Sequence, residues 1–265
     1  MKKMMRLVTL FAILALVLAA CGEDTGGGST TTGAGSDDLE LITAGTLTVC
    51  TETPYPPMEF VDEAGNYTGF DMELVRAIAE DLDLELVVAE IGFDAMTTGL
   101  AFDSGDCDVA AASITITEER ATAVDFSTPY FSAEQSLLVA TESGIGSLAD
   151  MVDRDLAVQT GTTGHIYAEE NAVGVNIIEF EDAAGPFLAL EAGTVEAFMT
   201  DLVVTQDYAD NNEGYTVAET YGTDEEYGLA TKGTPNLLAA IDATLAKFRG
   251  DGTYDQIYED WFPSA

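Results

Sequence analysis

Between Ser113 and Phe131 the chain reads SITITEERATAVDFSTPYF, and its Arg120 is one of only nine Lys and Arg residues set against 48 Asp and Glu. A guanidinium is a scarce group here, and its neighbours suggest a chemistry for it. Ser113 and Thr115 bring hydroxyls, and Thr117 is a good N-cap that would put Arg120 in the first turn of a helix. A planar cation beside hydroxyls and a helix N-terminus suits a carboxylate held through two parallel hydrogen bonds. A surface ion pair with one of the many acids fits the same local sequence equally well.

Further candidates surround it in sequence. Tyr55, in TETPYPP, stands among three prolines that call for an extended, stiff loop. It suits a lid over a ligand or plain loop packing. Phe93, in IGFD, takes a similar place after the next expected strand. QTGTTG, Gln159 to Gly164, brings amide N–H groups and the hydroxyls of Thr162 and Thr163, a second hold for an anionic group. It lacks the lysine of a P-loop, which argues against a nucleotide. His165 is the single histidine; it reads as an exposed residue at a helix start and leaves triads and zinc sites little to build on. DSGDCD, Asp103 to Asp108, comes nearest to a calcium loop and reads as a solvated turn. No metal and no cofactor is expected.

The elements that must position these residues alternate between strand and helix. Thr46 to Thr51 reads as a strand, Asp71 to Leu82 as an amphipathic helix, Leu84 to Ile91 as a strand, Ala95 to Phe102 as a helix and Asp108 to Ile114 as a strand. A second unit follows: strand Leu156 to Gln159, helix Thr163 to Asn171, strand Asn176 to Phe180, a helix around Pro186 to Ala192, and strand Val195 to Thr200. Such order implies parallel sheets covered by helices. The two units end alike, on GDCDVAAAS and GTVEAFMTD, so Ser113 and Asp201 each fall eight residues after a glycine. Ligands of open α/β sheets bind beyond the carboxyl ends of strands, and two facing lobes would set Ser113 and Asp201 across one cleft. A strand, YGLAT, and two amphipathic helices, Asn236 to Arg249 and Tyr254 to Trp261, close the chain.

The ends and the composition bound where such a protein works. MKKMMR followed by the fourteen apolar residues Leu7 to Ala20 is too short to span a bilayer and reads as a signal peptide. Leu18-Ala19-Ala20-Cys21 resembles a bacterial lipobox, which implies a mature chain beginning at a lipid-modified Cys21. The stretch after it has no large apolar residue to bury and reads as a flexible tether. A formal charge of −39 argues against nucleic acid, whose phosphates need Lys and Arg, and suits a highly soluble protein, with a saline habitat as one explanation. Cys50 and Cys107 would share an oxidising compartment, which favours pairing. Cys50 sits late in its strand and Cys107 before its own, which staggers the sulfurs beyond reach. The pairing stays open.

TPYPPMEF, GFDMELVRAIAEDL, IGFDAM, GDCDVAAASITITEER, VDFSTPYF, QTGTTG, the late Asp201 and GTYDQIYEDWF, in that order, closely resemble the extracellular amino-acid-binding proteins of ABC importers. The resemblance covers residues 41–263, nearly all of the expected folded chain. It implies an α/β, two-lobed periplasmic-binding-protein-like fold, each lobe a mostly parallel sheet flanked by helices. Two strands near 132–137 and 225–230 would cross between the lobes, and the last helices would return to the first. The chain then divides into a signal peptide (1–20), a tether (21–40), a first lobe (41–133 with 230–265) and a second lobe (134–229).

Roles follow from the same resemblance. Arg120 would grip the ligand α-carboxylate, supported by Thr115 and the Thr162–Thr163 region. Asp201, with Ser113, would hold the α-ammonium. Tyr55 and Phe93 would sandwich the side chain, and Glu52 would reach its far end. Gly164 stands where some members carry a polar residue. The implied protein is a monomer on a lipid anchor at the outer face of the cytoplasmic membrane or in the periplasm. It would capture a polar amino acid, basic or glutamine, and deliver it to an ABC permease without catalysis. An enzyme on the same scaffold, like the cyclohexadienyl dehydratases, is the alternative; no added acid–base pair is visible for it.

Overall fold

The computed structural model describes residues 38–263. The expected leader, Cys21 and most of the tether lie outside the described residues. The packed chain begins before residue 41: Leu39 is 1 % exposed in the core, and Asn236 donates to the Asp38 carbonyl and the Glu40 carboxylate. An apolar side chain at the end of a polar segment is enough to pin it.

In chain order the elements begin with β1 (Thr46–Thr51), the hairpin β2 (Phe60–Val61) and β3 (Tyr67–Thr68), α1 (Phe70–Asp81) and β4 (Glu85–Glu90). Then come α2 (Phe93–Thr97), α3 (Leu100–Asp103), β5 (Val109–Ala110) and β6 (Asp125–Phe126). The single helix expected over 95–102 is broken because Gly99 adopts the left-handed conformation, φ 80°, between α2 and α3. The strand expected over 108–114 is cut to two residues, since Ser113 turns to φ 50° and its N–H bonds to Asp71 instead of a strand.

β7 (Phe131–Ala140), β8 (Asp155–Gln159), α4 (Thr163–Asn171), β9 (Asn176–Phe180), α5 (Ala184–Glu191) and β10 (Ala197–Asp201) follow. After them α6 (Leu202–Asn211) and β11 (Tyr215–Tyr227) fill a stretch that the periodicity leaves unassigned. β12 (Ala230–Thr231), α7 (Pro235–Asp251) and α8 (Thr253–Trp261) end the described chain.

Two five-stranded sheets result, ordered β4-β1-β5-β12-β6 and β11-β7-β10-β8-β9. β1 pairs in parallel with β4 and β5, and β8 pairs in parallel with β9 and β10; β12, β7 and β11 add antiparallel partners. The chain passes between the sheets twice, after β6 and after β11. The passages are stitched together where Ser127 and Tyr130 donate to the Leu229 and Tyr227 carbonyls, at 2.9 Å each. On one face of the first sheet α1, α7 and α8 bury Leu74, Ile78, Leu237, Ile241 and Leu245. On its other face α2 and α3 enclose Cys50, Met96, Cys107 and Ile114. Helices likewise cover both faces of the second sheet.

Cys50 and Cys107 form a disulfide, with Cα atoms 5.5 Å apart. The expected stagger holds only for a straight strand carried back from β5. Both cysteines instead bury in one apolar cluster with Met96 and Ile114, within bonding reach of each other.

Candidate functional site

Every residue singled out from the sequence for ligand contact lines one cavity between the two sheets: Glu52, Tyr55, Phe93, Ser113, Thr115, Arg120, Thr162, Thr163 and Asp201. Glu59, Gln159 and Thr200 join them there. These come from strand exits or helix starts on both lobes, where backbone groups and short polar side chains meet.

Arg120 follows Thr117, whose hydroxyl accepts the Arg120 N–H at 3.1 Å, as an N-cap would; the turn that follows, Arg120–Thr122, is a 3₁₀ turn. The guanidinium donates to the Thr115 carbonyl (2.8 Å) and, across the cleft, to the Gly161 carbonyl (3.0 Å). It lies 5.0 Å from the centroid of the Phe93 ring, a cation–π contact. At 8 % exposure, and with no carboxylate within 4.0 Å among the described residues, it is a buried charge without a counter-ion. Burial lowers its pKa, opposed by the more distant charges of Asp201 and Glu225. Of the two readings open from local sequence, the surface ion pair is the one this geometry removes.

Opposite stands a carboxylate with many donors. Asp201, at the end of β10, accepts Tyr55 Oη (2.7 Å) and Tyr227 Oη (2.6 Å) on Oδ2 and the Gln135 amide (2.5 Å) on Oδ1. Three donors leave room for a fourth on an ionised carboxylate. Burial, then the charge of Glu225, raises its pKa to about 6. Glu52 accepts the Phe93 N–H (2.7 Å) and, across the cleft, the Gln159 amide (2.6 Å); burial raises its pKa as well.

Two more acids lie on this side: Glu59 lines the cavity, and Asp71 is fully buried outside its lining. The proline-rich loop is a turn where an extended segment was expected: Tyr55 N–H donates to the Glu59 carbonyl, and Met58 N–H to the Tyr55 carbonyl at 3.0 Å. The turn brings Glu59, 1 % exposed, under Ser113, whose hydroxyl donates to it at 3.1 Å. Asp71 accepts the Ser113 N–H (2.9 Å) and Tyr130 Oη (2.7 Å). Burial raises both carboxyls, Asp71 to about 6 and Glu59 well above its ordinary value, the latter also through the neighbouring Asp71 charge.

Three expected roles need redrawing. The Thr115 and Thr163 hydroxyls donate to Glu225, at 2.8 and 2.6 Å, so their side chains are engaged at the crossing strand. Their amide N–H groups find no partner among the described residues. The Thr162 hydroxyl accepts the His165 N–H (3.1 Å) and donates to the Gln159 carbonyl (2.8 Å), which makes it the N-cap of α4. His165 itself is half-buried, with Nδ1 accepting the Gly161 N–H at 3.4 Å and Nε2 3.7 Å from Glu169. Gly164 has a steric reason: a Cβ there would come within 2.8 Å of Gln135 Oε1 and 3.2 Å of the Met199 carbonyl. Asp108, in the loop read as solvated, is buried and accepts the Ile42 and Thr48 N–H groups at 2.7 and 2.8 Å.

The cavity is nearly shut. It leaves about 30 Å³ for the centre of a water molecule, room for about two waters. Bonds from Tyr55 to Asp201, Gln159 to Glu52 and Arg120 to Gly161 join its walls. Glu59, Gln135, Thr200, Glu225 and Tyr227, and the side-chain bond of Gln159 to Glu52, are what sequence reading missed. Glu59 was legible only had PYPPME been read as a turn, and the others carry no local signal.

Comparison with known proteins gives one consistent result. The sequence profile of the bacterial extracellular solute-binding proteins, family 3, matches residues 47–264. The ABC transporter glutamine-binding protein of Bacillus subtilis strain 168 is 35 % identical over 270 residues, covering 98 % of this chain and 97 % of that one. An ancestral arginine-binding protein solved with bound glutamine aligns with a TM-score of 0.78 at 38 % identity, over 84 % of this chain and 100 % of that one. An ancestral amino-acid-binding protein described as a precursor of cyclohexadienyl dehydratase aligns at 0.77 and 36 % identity, over 82 % and 96 %.

Proposed function

The chain belongs to family 3 of the bacterial extracellular solute-binding proteins, and on that premise we propose that its cleft captures a polar L-amino acid, arginine or lysine first and glutamine second, for an ABC permease. The observation that carries the reading is the buried Arg120, facing the cavity with no carboxylate of its own among the described residues. A ligand α-carboxylate would supply the missing counter-charge, with the free N–H groups of Thr115 and Thr163 beside it. Asp201, with Ser113 near it, is the partner for the α-ammonium. The side chain would then run between Tyr55 and Phe93 toward Glu52. A carboxylate accepts hydrogen bonds and offers none, so a guanidinium, ammonium or amide end suits Glu52. An acidic side chain would meet the Glu52 carboxylate there, with no basic group named beside it to offset a second charge.

With so little room in the closed cleft, entry requires the walls to part, and a ligand would shift the balance by exchanging its own groups for the bonds that now join them. The first lobe, residues 38–133 with 230–263 of the described chain, would move against 134–229. No chemistry is proposed for the site: its acids are engaged by tyrosine, glutamine, serine and backbone donors, and among the described residues no base stands beside a nucleophile. Among the described residues no helix is long and apolar enough to cross a membrane. We assign membrane attachment to a lipid on Cys21 after removal of residues 1–20, with the protein working as a monomer outside the cytoplasmic membrane. A calorimetric titration against the common amino acids tests the specificity. Tight binding of glutamate or aspartate, with arginine, lysine and glutamine inert, would overturn it, and turnover of prephenate or arogenate would restore the enzyme alternative.

A further inference from the structure

Glu225 lies on β11 next to the passage between the lobes, and one of its oxygens collects donors from three directions. Oε2 accepts Thr115 Oγ1 at 2.8 Å, Thr163 Oγ1 at 2.6 Å and Gln135 Nε2 at 3.3 Å. Thr115 follows β5, in the first lobe. Thr163 opens α4, in the second. Their hydroxyl oxygens are 3.4 Å apart. Gln135, on β7, also donates to Asp201, so the same cluster reaches the far side of the cavity. The strand is shaped for this. β11 changes register against β7 between Tyr221 and Glu225, and Asp224 within that irregularity has φ 51°. Such an interruption re-aims the side chain that follows it.

We propose that Glu225 is a positioning residue that latches the cleft: its carboxylate binds the Thr115 and Thr163 hydroxyls together only when the lobes are closed. Those two threonines belong to bodies that separate on opening, so no single oxygen can hold both in the open form. An interaction present in one state alone shifts the equilibrium toward that state. Hydroxyls donated to a carboxylate make charge-assisted bonds, stronger than neutral ones. The same contacts do a second job. By drawing the hydroxyls toward the crossing strand they leave the Thr115 and Thr163 amides unengaged, and Glu225 forms no ion pair with Arg120. The anion-holding groups are gathered without being consumed. This rests on the binding reading above for its consequence, but the latch itself concerns closure.

Small-angle X-ray scattering and stopped-flow binding on Glu225→Ala, Glu225→Gln and Thr115→Val test it. Ligand-free Glu225→Ala should show a larger radius of gyration than the parent, with Glu225→Gln between the two. Ligand should leave Glu225→Ala about tenfold faster or more, given the usual worth of hydrogen bonds to a charged group. The ranking of amino acids should not change, because closure and not discrimination is lost. Thr115→Val should reproduce part of the effect and add little on top of Glu225→Ala, as expected for partners in one contact. A lower melting temperature with unchanged scattering and unchanged dissociation would mean a merely structural residue and end the proposal. Strictly additive effects of the two substitutions would do the same. If the parent binds no amino acid, the functional reading fails, and the scattering comparison still decides the latch.

Discussion

GDCDVAAAS and GTVEAFMTD build the two halves of the molecule by the same local rules and deliver different chemistry at their ends. Gly105 and Gly193 both take the left-handed conformation, φ 72° and 66°. The next residue in each, Asp106 or Thr194, donates back to the preceding helix at 2.9 Å. Three residues after each glycine an acid accepts a backbone N–H from the neighbouring parallel strand: Asp108 from Thr48 and Glu196 from Asp155, both at 2.8 Å. The copies then diverge. In the second, β10 runs straight to Asp201 and α6 begins at once. In the first, the buried Asp71 captures the Ser113 N–H, the strand ends after two residues, and a hydroxyl is presented instead of a carboxylate. A shared scaffold thus fixes position, residue identity supplies a hydroxyl in one copy and a carboxylate in the other, and one long-range hydrogen bond turns the first copy's backbone at that point.

That asymmetry should show most strongly in binding. Asp201→Ala removes a charge and should weaken affinity by about 2–5 kcal/mol, roughly one and a half to three and a half decades, as should Arg120→Ala from the opposite wall. Ser113→Ala, which removes only a hydroxyl, should cost about 0.5–1.5 kcal/mol. Calorimetric affinities check all three, and equal losses for Ser113→Ala and Asp201→Ala would erase the distinction.

Cys107 aligns with Val195 in the repeat. The disulfide closing a sequence separation of 57 residues is the first lobe's addition to the shared plan. Cys107→Val should lower unfolding free energy by about 2–4 kcal/mol, chiefly by freeing the unfolded chain, measured by denaturant titration. Little loss would imply that the apolar packing around Cys50, Met96 and Ile114 carries the lobe unaided.

pH should move stability and affinity in opposite directions. Asp201 and Asp71 titrate near 6 in the folded chain, above the ordinary carboxylate value of 3.8. The native state therefore holds protons that the unfolded chain releases, and this contribution, full below about pH 4, is lost as pH rises to about 6. Holding an ammonium needs Asp201 ionised, so affinity should fall as pH drops below about 6. Melting and binding series on the ligand-free protein separate the two. Asp201→Asn should flatten the binding profile, and a profile that keeps its slope would assign the titration elsewhere.

The smallest contrast lies at the matched acids. Asp108 is buried and caps two N–H groups, whereas Glu196 is exposed and caps one. Asp108→Ala should cost about 1–3 kcal/mol and Glu196→Ala under about 1, since the former removes two bonds to a buried acid and the latter one bond at the surface. Equal values would mean that solvent access does not govern these caps.

Local rules made much of this protein legible in its sequence. Periodicity placed β1, α1, β4, α4, β9, α7 and α8 to within a residue or two, because amphipathic faces and strand alternation are properties of short segments. The internal repeat brought Ser113 and Asp201 to facing strand ends, and the scarcity of cations drew the eye to Arg120. Tertiary structure alone decided the rest. α6 and β11 carry no clean period, since α6 opens on β-branched residues and β11 runs half-buried among acids. Glu225, Gln135 and Gln159 act through partners 28 to 110 residues away, and no window of sequence contains both members of such a pair. The disulfide needed both cysteines to bury in one apolar cluster. That Arg120 lacks a counter-ion among the carboxylates of the described residues is likewise a fact about distances, and distances between lobes are set only when the two sheets close on each other.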